Sequence, residues 1–237
     1  MQYEGNILRH ELKYYINESV YHTLRERFLT IVGPDPNMKK EEGYLITSVY
    51  FDDMFCSAEK EKIAGARFRK KFRIRSYERD DSFMRLECKS KFDEYISKTS
   101  AVLSREEYDR IMQNDLEFLL HRKERVCQEL FGYNRTRLLK PRVAVEYLRE
   151  AYISPLGNVR LTFDKDISAS LGTPDMFDER FITAGILPEH VMVLEVKFDD
   201  FLPDFVKTTL RTAMTEKCAV SKYVMCAQKM QSMRIGE

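Results

Sequence analysis

Lys71, Arg73 and Arg75 stand two residues apart with Phe72 and Ile74 between them. On an extended strand the three cations share one face and the apolar pair the other. The same alternation returns in Arg85-Leu86-Glu87-Cys88-Lys89-Ser90-Lys91, with Leu86 and Cys88 opposite the charges, and Asp80-Asp81-Ser82 reads as the turn between the two runs. Adjacent strands of this kind crowd like charges, which is destabilising unless an anion is expected. Arg9, Glu11 and Lys13 line one side of an earlier segment. Later, Arg160, Thr162 and Asp164 oppose Leu161 and Phe163, and Leu194-Glu195-Val196-Lys197 alternates likewise. In Val145-Glu146-Tyr147-Leu148-Arg149 both faces carry a charge, so spacing leaves the side of Arg149 open.

Phosphate is the anion that suits such rows, because Arg forks match its oxygens. Convergence matters too: a unit charge pair near 4 Å is worth about 1 kcal/mol in bulk water and about 4 at an effective dielectric near 20. Glu11, Glu87 and Glu195 then make sense as ligands of a divalent cation bridging phosphate oxygens, since Mg²⁺ and Mn²⁺ prefer oxygen donors. The alternative for each is a salt bridge to a neighbouring Lys or Arg. A half-buried antiparallel strand that merely shows water a polar face alternates in the same way; the bias toward one sign is what argues for a ligand.

The elements that must position these residues are short. Strands are expected over Arg9–Ile16, Tyr44–Asp52, Phe68–Tyr77, Phe83–Lys91, Arg142–Tyr152, Val159–Asp164 and Val191–Phe198. Helical spacing covers Glu18–Ile31, Arg105–Met112, Asp115–Phe131 and Val206–Ala213, with Ser104 and Glu107 forming a capping box. Ser154-Pro155-Leu156-Gly157-Asn158 reads as a hairpin turn. The expected class is α+β with a dominant antiparallel sheet. If its charged faces curl inward as a barrel, helices cover the outside and the interior becomes a wet channel.

The 237 residues, with Gly and Pro thinly scattered, suit one domain spanning 1–237. Lys and Arg total 39 against 38 acids, so bulk charge does not argue for nucleic acid. The five cysteines lack a Cys-x-x-Cys pair and are expected to be reduced thiols. No apolar run approaches a membrane span, and Met1-Gln2-Tyr3-Glu4 does not open a secretory leader, so a cytoplasmic location is expected, with a membrane protein partner still open. Glycine-rich nucleotide cradles are absent and the four histidines have no metal-ligand spacing, which leaves side chains to hold phosphates.

Eight segments, in order, resemble the polyphosphate polymerase (VTC) domain of the triphosphate tunnel metalloenzyme, or CYTH-like, superfamily. They are Arg9-His10-Glu11-Leu12-Lys13-Tyr14, Ser48-Val49-Tyr50-Phe51-Asp52, Lys71 to Arg75, Glu87-Cys88-Lys89, Tyr147 to Tyr152, Val159 to Asp164, Leu194 to Phe198 and Ser221-Lys222-Tyr223. The resemblance implies a closed antiparallel tunnel in which basic side chains hold a triphosphate with Mn²⁺ or Mg²⁺. By motif position it implies phosphate contacts from Lys13, Arg73, Arg75, Lys89, Arg149, Arg160 and Lys222, and a metal-binding role for Glu195. It also turns Arg149 inward. Arg73, Arg75, Arg149 and Arg160 are the implied catalytic clamp; Lys71, Lys91 and Arg9 join the phosphate-binding cations by strand spacing. Arg9 replaces the Glu with which many superfamily members begin this motif, a departure shared by polymerase-type domains that weakens the case for a plain triphosphatase metal site. The implied activity is transfer of the ATP γ-phosphoryl group to a growing polyphosphate chain, with a triphosphatase or a non-catalytic polyphosphate or inositol-phosphate binding module as the alternatives.

Overall fold

Over most of the described residues, alternating apolar and polar residues pair as antiparallel strands, and apolar spacing of three and four forms helices. The computed structural model describes residues 2–3, 6–7, 9–93, 95–211 and 218–235. In chain order these form β1 (Gln2–Tyr3), β2 (Asn6–Ile7), β3 (His10–Asn17), α1 (Glu18–Ile31), β4 (Gly33–Pro34), β5 (Tyr44–Asp52) and α2 (Ser57–Ile63). There follow β6 (Phe68–Tyr77), β7 (Met84–Phe92), β8 (Tyr95–Leu103), α3 (Arg105–Met112), α4 (Arg125–Arg137) and β9 (Lys140–Ser154). The remainder comprises β10 (Val159–Leu171), β11 (Ile182–Gly185), β12 (Val191–Phe198), α5 (Asp204–Arg211) and α6 (Lys222–Ile235). The class is α+β with a large antiparallel sheet, as expected.

The chain divides into two compact units, and β9 and β10 run through both. The first comprises residues 1–45, 147–167 and 187–221. Its strand order is β3-β12-β10-β9. Register sets Glu195 opposite Lys13 and Thr162, and Lys197 opposite Glu11 and Arg160. Tyr14, Ile16, Leu161, Phe163, Leu194 and Val196 cover one face and meet Leu24 and Phe28 of α1 and Val206 and Leu210 of α5. Full burial of each such helix side chain contributes roughly 1.5–3 kcal/mol. Asn17 starts α1 by accepting the Val20 N–H at 3.0 Å, and Glu18 complements the positive end of its dipole.

The second unit comprises residues 46–146, 168–186 and 222–237. Its order is β9-β5-β6-β7-β8, with β11 on the far half of β10. Phe72, Ile74, Leu86, Cys88, Ala101 and Leu103 form the apolar face beneath Tyr108 and Ile111 of α3 and Val126, Cys127 and Leu130 of α4. The Ser104 capping box is present: its hydroxyl accepts from Glu107 N at 3.1 Å, and its own N–H reaches Glu107 Oε2 at 3.0 Å. The Asp80 turn joins β6 to β7, closed by Asp80 N to Tyr77 O at 2.9 Å.

Several expectations are corrected. Asp115–Phe131 is not one helix but a 3₁₀ turn, Glu117–His121, followed by α4. Arg122 breaks it with extended backbone while its side chain grips Glu107, Glu124 and the Val102 carbonyl. Strand β8 and helices α2 and α6 were not anticipated. Ser97-Lys98-Thr99-Ser100 has little strand character alone, yet β8 pairs with β7 along its whole length. In α6, Tyr223, Val224, Cys226 and Ala227 are all buried within five positions, so no stripe stands out. The expected Val206–Ala213 helix is α5, starting at Asp204; positions 212 and 213 lie outside the described residues. Among the described residues β3 pairs only with β12 and β8 only with β7, so both are edges and hydrogen bonding does not draw the closed ring.

Candidate functional site

In the first unit the face opposite the apolar core is ionic. Glu195, 4% exposed, receives Lys13 Nζ at 3.1 Å on Oε1 and Lys197 Nζ and Arg149 Nη2, both at 3.3 Å, on Oε2. Glu11 Oε1 lies 3.6 Å from Lys13 and 3.7 Å from Lys197. Arg149 makes a two-pronged contact with buried Asp164, Nε to Oδ1 at 2.6 Å and Nη2 to Oδ2 at 2.7 Å. Burial opposes charge on both bases, but Glu11 and Glu195 outweigh it at Lys13, and Asp164 with Glu195 at Arg149, so both titrate well above their ordinary range.

Arg160 joins from β10, with Nη1 2.6 Å from Asp35 and Nη2 donating to Tyr44 Oη at 3.0 Å. The loop bearing Asp35 docks on β9 through Asp35 N to Ala151 O at 2.9 Å. Gly43 ends that loop at φ +106°, where a Cβ would meet the Arg149 carbonyl at 2.2 Å. Only glycine allows this approach. Arg9 is held by Asp199 at 2.8 Å and by the Asn158 carbonyl at the β9–β10 turn.

In the second unit the register turns sequence alternation into rows. Lys71, Lys89 and Lys98 lie side by side on β6, β7 and β8; the next row is Tyr50, Arg73, Glu87 and Ser100; the next is Ser48, Arg75, Arg85 and Val102. Glu87 is 1% exposed and answers three cations: Arg73 Nη2 at 2.6 Å, Arg75 Nη1 at 3.9 Å, and Lys98. Burial favours its neutral form, yet Arg73, Arg75 and Lys98 pull its pKa far below the carboxylate range. The pKa of Lys98 also falls, to about 8, which here disfavours the charged form: partial desolvation of a side chain still 46% exposed leads, with Arg73 and Arg75 adding to it against the pull of Glu87. Arg75 is buried and donates to Ser48 Oγ at 3.2 Å; Lys222, at the start of α6, is buried too. Six bases around Glu87 in these rows, Lys71, Lys89, Lys98, Arg73, Arg75 and Arg85, leave the face cationic.

Residues 8–231 match the VTC domain. The chain belongs to this family. No curated protein matches it. Among solved structures, PH1819 of Pyrococcus horikoshii is similar with TM-score 0.50 at 13% identity, covering 93% of this chain and 99% of that one. A protein of Bacillus halodurans provisionally described as an adenylate cyclase aligns at TM-score 0.49 and 14% identity, over 88% of each chain. One of Vibrio parahaemolyticus, described the same way, aligns at 0.48 and 9%, over 96% and 99%. At such identities the first similarity speaks to fold alone. VTC membership ties the chain to triphosphate and polyphosphate chemistry, as a phosphotransferase or triphosphatase with nucleotide or polyphosphate substrates and divalent-metal dependence.

The VTC chain's own oxygens fit such a metal. Glu11 and Glu195 both reach the same two ammonium groups, so their carboxylates converge. Thr162, directly across from Glu195 and 1% exposed, has a hydroxyl without a hydrogen-bond partner. No cluster of three or more His, Cys, Asp or Glu suited to a metal occurs among the described residues. A carboxylate pair with phosphates supplying further ligands is the Mg²⁺ style of site. Glu87 lies in the other unit, amid its three cations.

Lys13, Arg149, Arg160, Glu11 and Glu195 thus come together in the first unit, and Lys71, Arg73, Arg75, Lys89 and Glu87 in the second. Lys91 lies beside the β7–β8 turn, opposite Ile96 of β8 and Arg69 of β6. Arg9, 31% exposed, pairs instead with Asp199. Sequence reasoning missed Lys98, Asp35 and Tyr44. Lys98 lies on an unanticipated strand, and Asp35 sits in a Pro-flanked loop with no period to betray it. No helix of the described residues is long and apolar enough to cross a membrane.

Proposed function

We propose that the chain is an ATP-dependent polyphosphate polymerase. The observation that carries this reading is the lysine row Lys71-Lys89-Lys98 beside Arg73 and Arg75, a gathering of like charges on one sheet face that suits a polyanion. A terminal oxygen of polyphosphate attacks the γ-phosphorus of ATP; the new P–O bond forms as the bond to the β,γ-bridging oxygen breaks, and ADP leaves with that electron pair. The attacking oxygen is already ionised near neutral pH, so no general base is required.

By motif position, Arg149, Arg160 and Lys13 in the first unit and Arg73, Arg75, Lys89 and Lys222 in the second are each assigned to phosphate oxygens, and Glu195 to Mn²⁺ or Mg²⁺, with Glu11 added by strand spacing. Bound there, the metal would neutralise charge on phosphate oxygens. The protein's share of the rate is positioning and charge stabilisation, the main levers in phosphoryl transfer. Incubation with ATP and Mn²⁺ followed by a polyphosphate-stained gel tests the reading. A ladder supports it; free phosphate alone means a hydrolase, and unchanged ATP with measurable binding means a sensor.

Lys98 gives the reading a pH signature. A lysine titrating near 8 is charged at pH 7 and must take up a proton to meet phosphate at pH 9. The affinity advantage of wild type over Lys98→Met for tripolyphosphate is therefore expected to shrink above pH 8, by up to about tenfold per pH unit. Calorimetric titrations at pH 7, 8 and 9 measure it, and an advantage that stays constant contradicts the assignment. Stability runs the opposite way. Between about 8 and 10.5 the unfolded chain binds more protons at this lysine than the native one, so this contribution to stability rises with pH.

A further inference from the structure

Two tyrosines of the second unit, one in the Arg73 row and one on α6, have no part in the phosphate chemistry described so far. Tyr50 of β5 and Tyr223 of α6 stack with ring centroids 5.2 Å apart and planes 29° from parallel. Each holds one cation of β6. Tyr50 Oη accepts from Arg73 Nη1 at 2.8 Å, and the Arg73 guanidinium also lies 5.7 Å from the Tyr50 ring centroid. Lys71 Nζ lies 4.9 Å from the Tyr223 ring centroid.

The pair is itself anchored. The Tyr223 hydroxyl donates to buried Asp52, whose carboxylate also accepts the backbone N–H groups of Asp53, Ala58 and Glu59 at 2.9, 2.9 and 3.2 Å. Burial and the Asp52 charge push the Tyr223 phenol far above its usual range, so it stays a neutral donor. Long basic side chains are costly to order, and a cation over an aromatic face, or a guanidinium bonded to a phenol, has already given up part of that freedom.

We infer that Tyr50 and Tyr223 are positioning residues: a stacked phenol pair, fixed by Asp52, that aims Arg73 and Lys71 toward an inorganic oligophosphate. Arg73 is then held from two sides, by Glu87 at Nε and Nη2 and by Tyr50 at Nη1. The inference rests on the reading that these cations bind phosphate. It assigns Tyr50 an effect that must travel through Arg73, and Tyr223 one that travels through Lys71 by way of its ring.

The test is calorimetric binding of tripolyphosphate at low salt, where the remaining cations keep variant affinities measurable, with a thermal melt of every protein. Tyr50→Phe is expected to weaken affinity roughly five- to tenfold, in line with loss of a hydrogen bond to a charged group. In an Arg73→Ala background the same change is expected to have no effect beyond twofold, because the residue it acts through is gone. Tyr223→Leu is expected to weaken binding about fivefold, and Tyr223→Phe, which keeps the ring beneath Lys71, to restore most of it whatever its melting temperature. A Tyr50→Phe effect of equal size with and without Arg73, or one seen only in the melt, overturns the inference while leaving the phosphate reading standing. A wild-type protein that binds no tripolyphosphate removes both.

Discussion

Replacing Arg149 with alanine is expected to destabilise the protein by about 3–5 kcal/mol, the usual cost of removing one partner of a buried ion pair. Asp164 is fully buried, and both its oxygens are held by the Arg149 guanidinium. Without that fork its charge loses a two-pronged contact that offsets its burial, and Glu195 loses a cation as well. Urea denaturation measures the loss. The double variant Arg149→Met with Asp164→Asn, which removes both charges, is expected to recover most of the stability without restoring phosphate binding. A single variant that loses less than about 1 kcal/mol, as exposed ion pairs do, would mean that Asp164 does not depend on this arginine.

Arg73→Ala is expected to do the reverse, sparing the fold and abolishing polyphosphate synthesis. Glu87 keeps Arg75 and Lys98 when Arg73 is removed, so no buried carboxylate is stranded. The reaction would lose a guanidinium aimed at developing charge, for which a single preorganised donor is commonly worth about 10²–10³ in rate. The check is polyphosphate formed from ATP and Mn²⁺ by a variant whose melting curve matches wild type. Normal yield from such a folded variant would contradict the role given to Arg73. On these expected results the two arginines would separate, Arg149 acting first as a structural counter-charge and Arg73 first on substrate.

Much of the scaffold could be read from residue order. Alternation placed Lys71, Arg73 and Arg75 on the face opposite Phe72 and Ile74, and the structure agrees because Phe72 and Ile74 have helices to bury them. Period-two and period-four patterns are local properties of a chain, written into a few consecutive side chains, so β5, β6, β12, α1 and α3 are found where they were expected. The 3₁₀ turn before α4 escaped because Arg122 is extended by contacts with Glu107 and Val102, fifteen and twenty residues away.

For Glu87 and Glu195 the same pattern allowed either a metal ligand or a salt bridge, and spacing along one strand does not choose between them. That choice depends on what the neighbouring strands bring. Register gave Glu87 the company of Arg73, Arg75 and Lys98, and gave Glu195 that of Lys13, Lys197, Arg149 and an unpartnered Thr162 hydroxyl. Residue order alone therefore determined which faces are ionic, which are apolar and that phosphate suits the cations. Tertiary structure decided which acid answers which base, that Lys98 belongs to the row, and that Tyr50 meets Arg73 and Tyr223 meets Lys71, because those are distances between elements that the chain brings together only by folding.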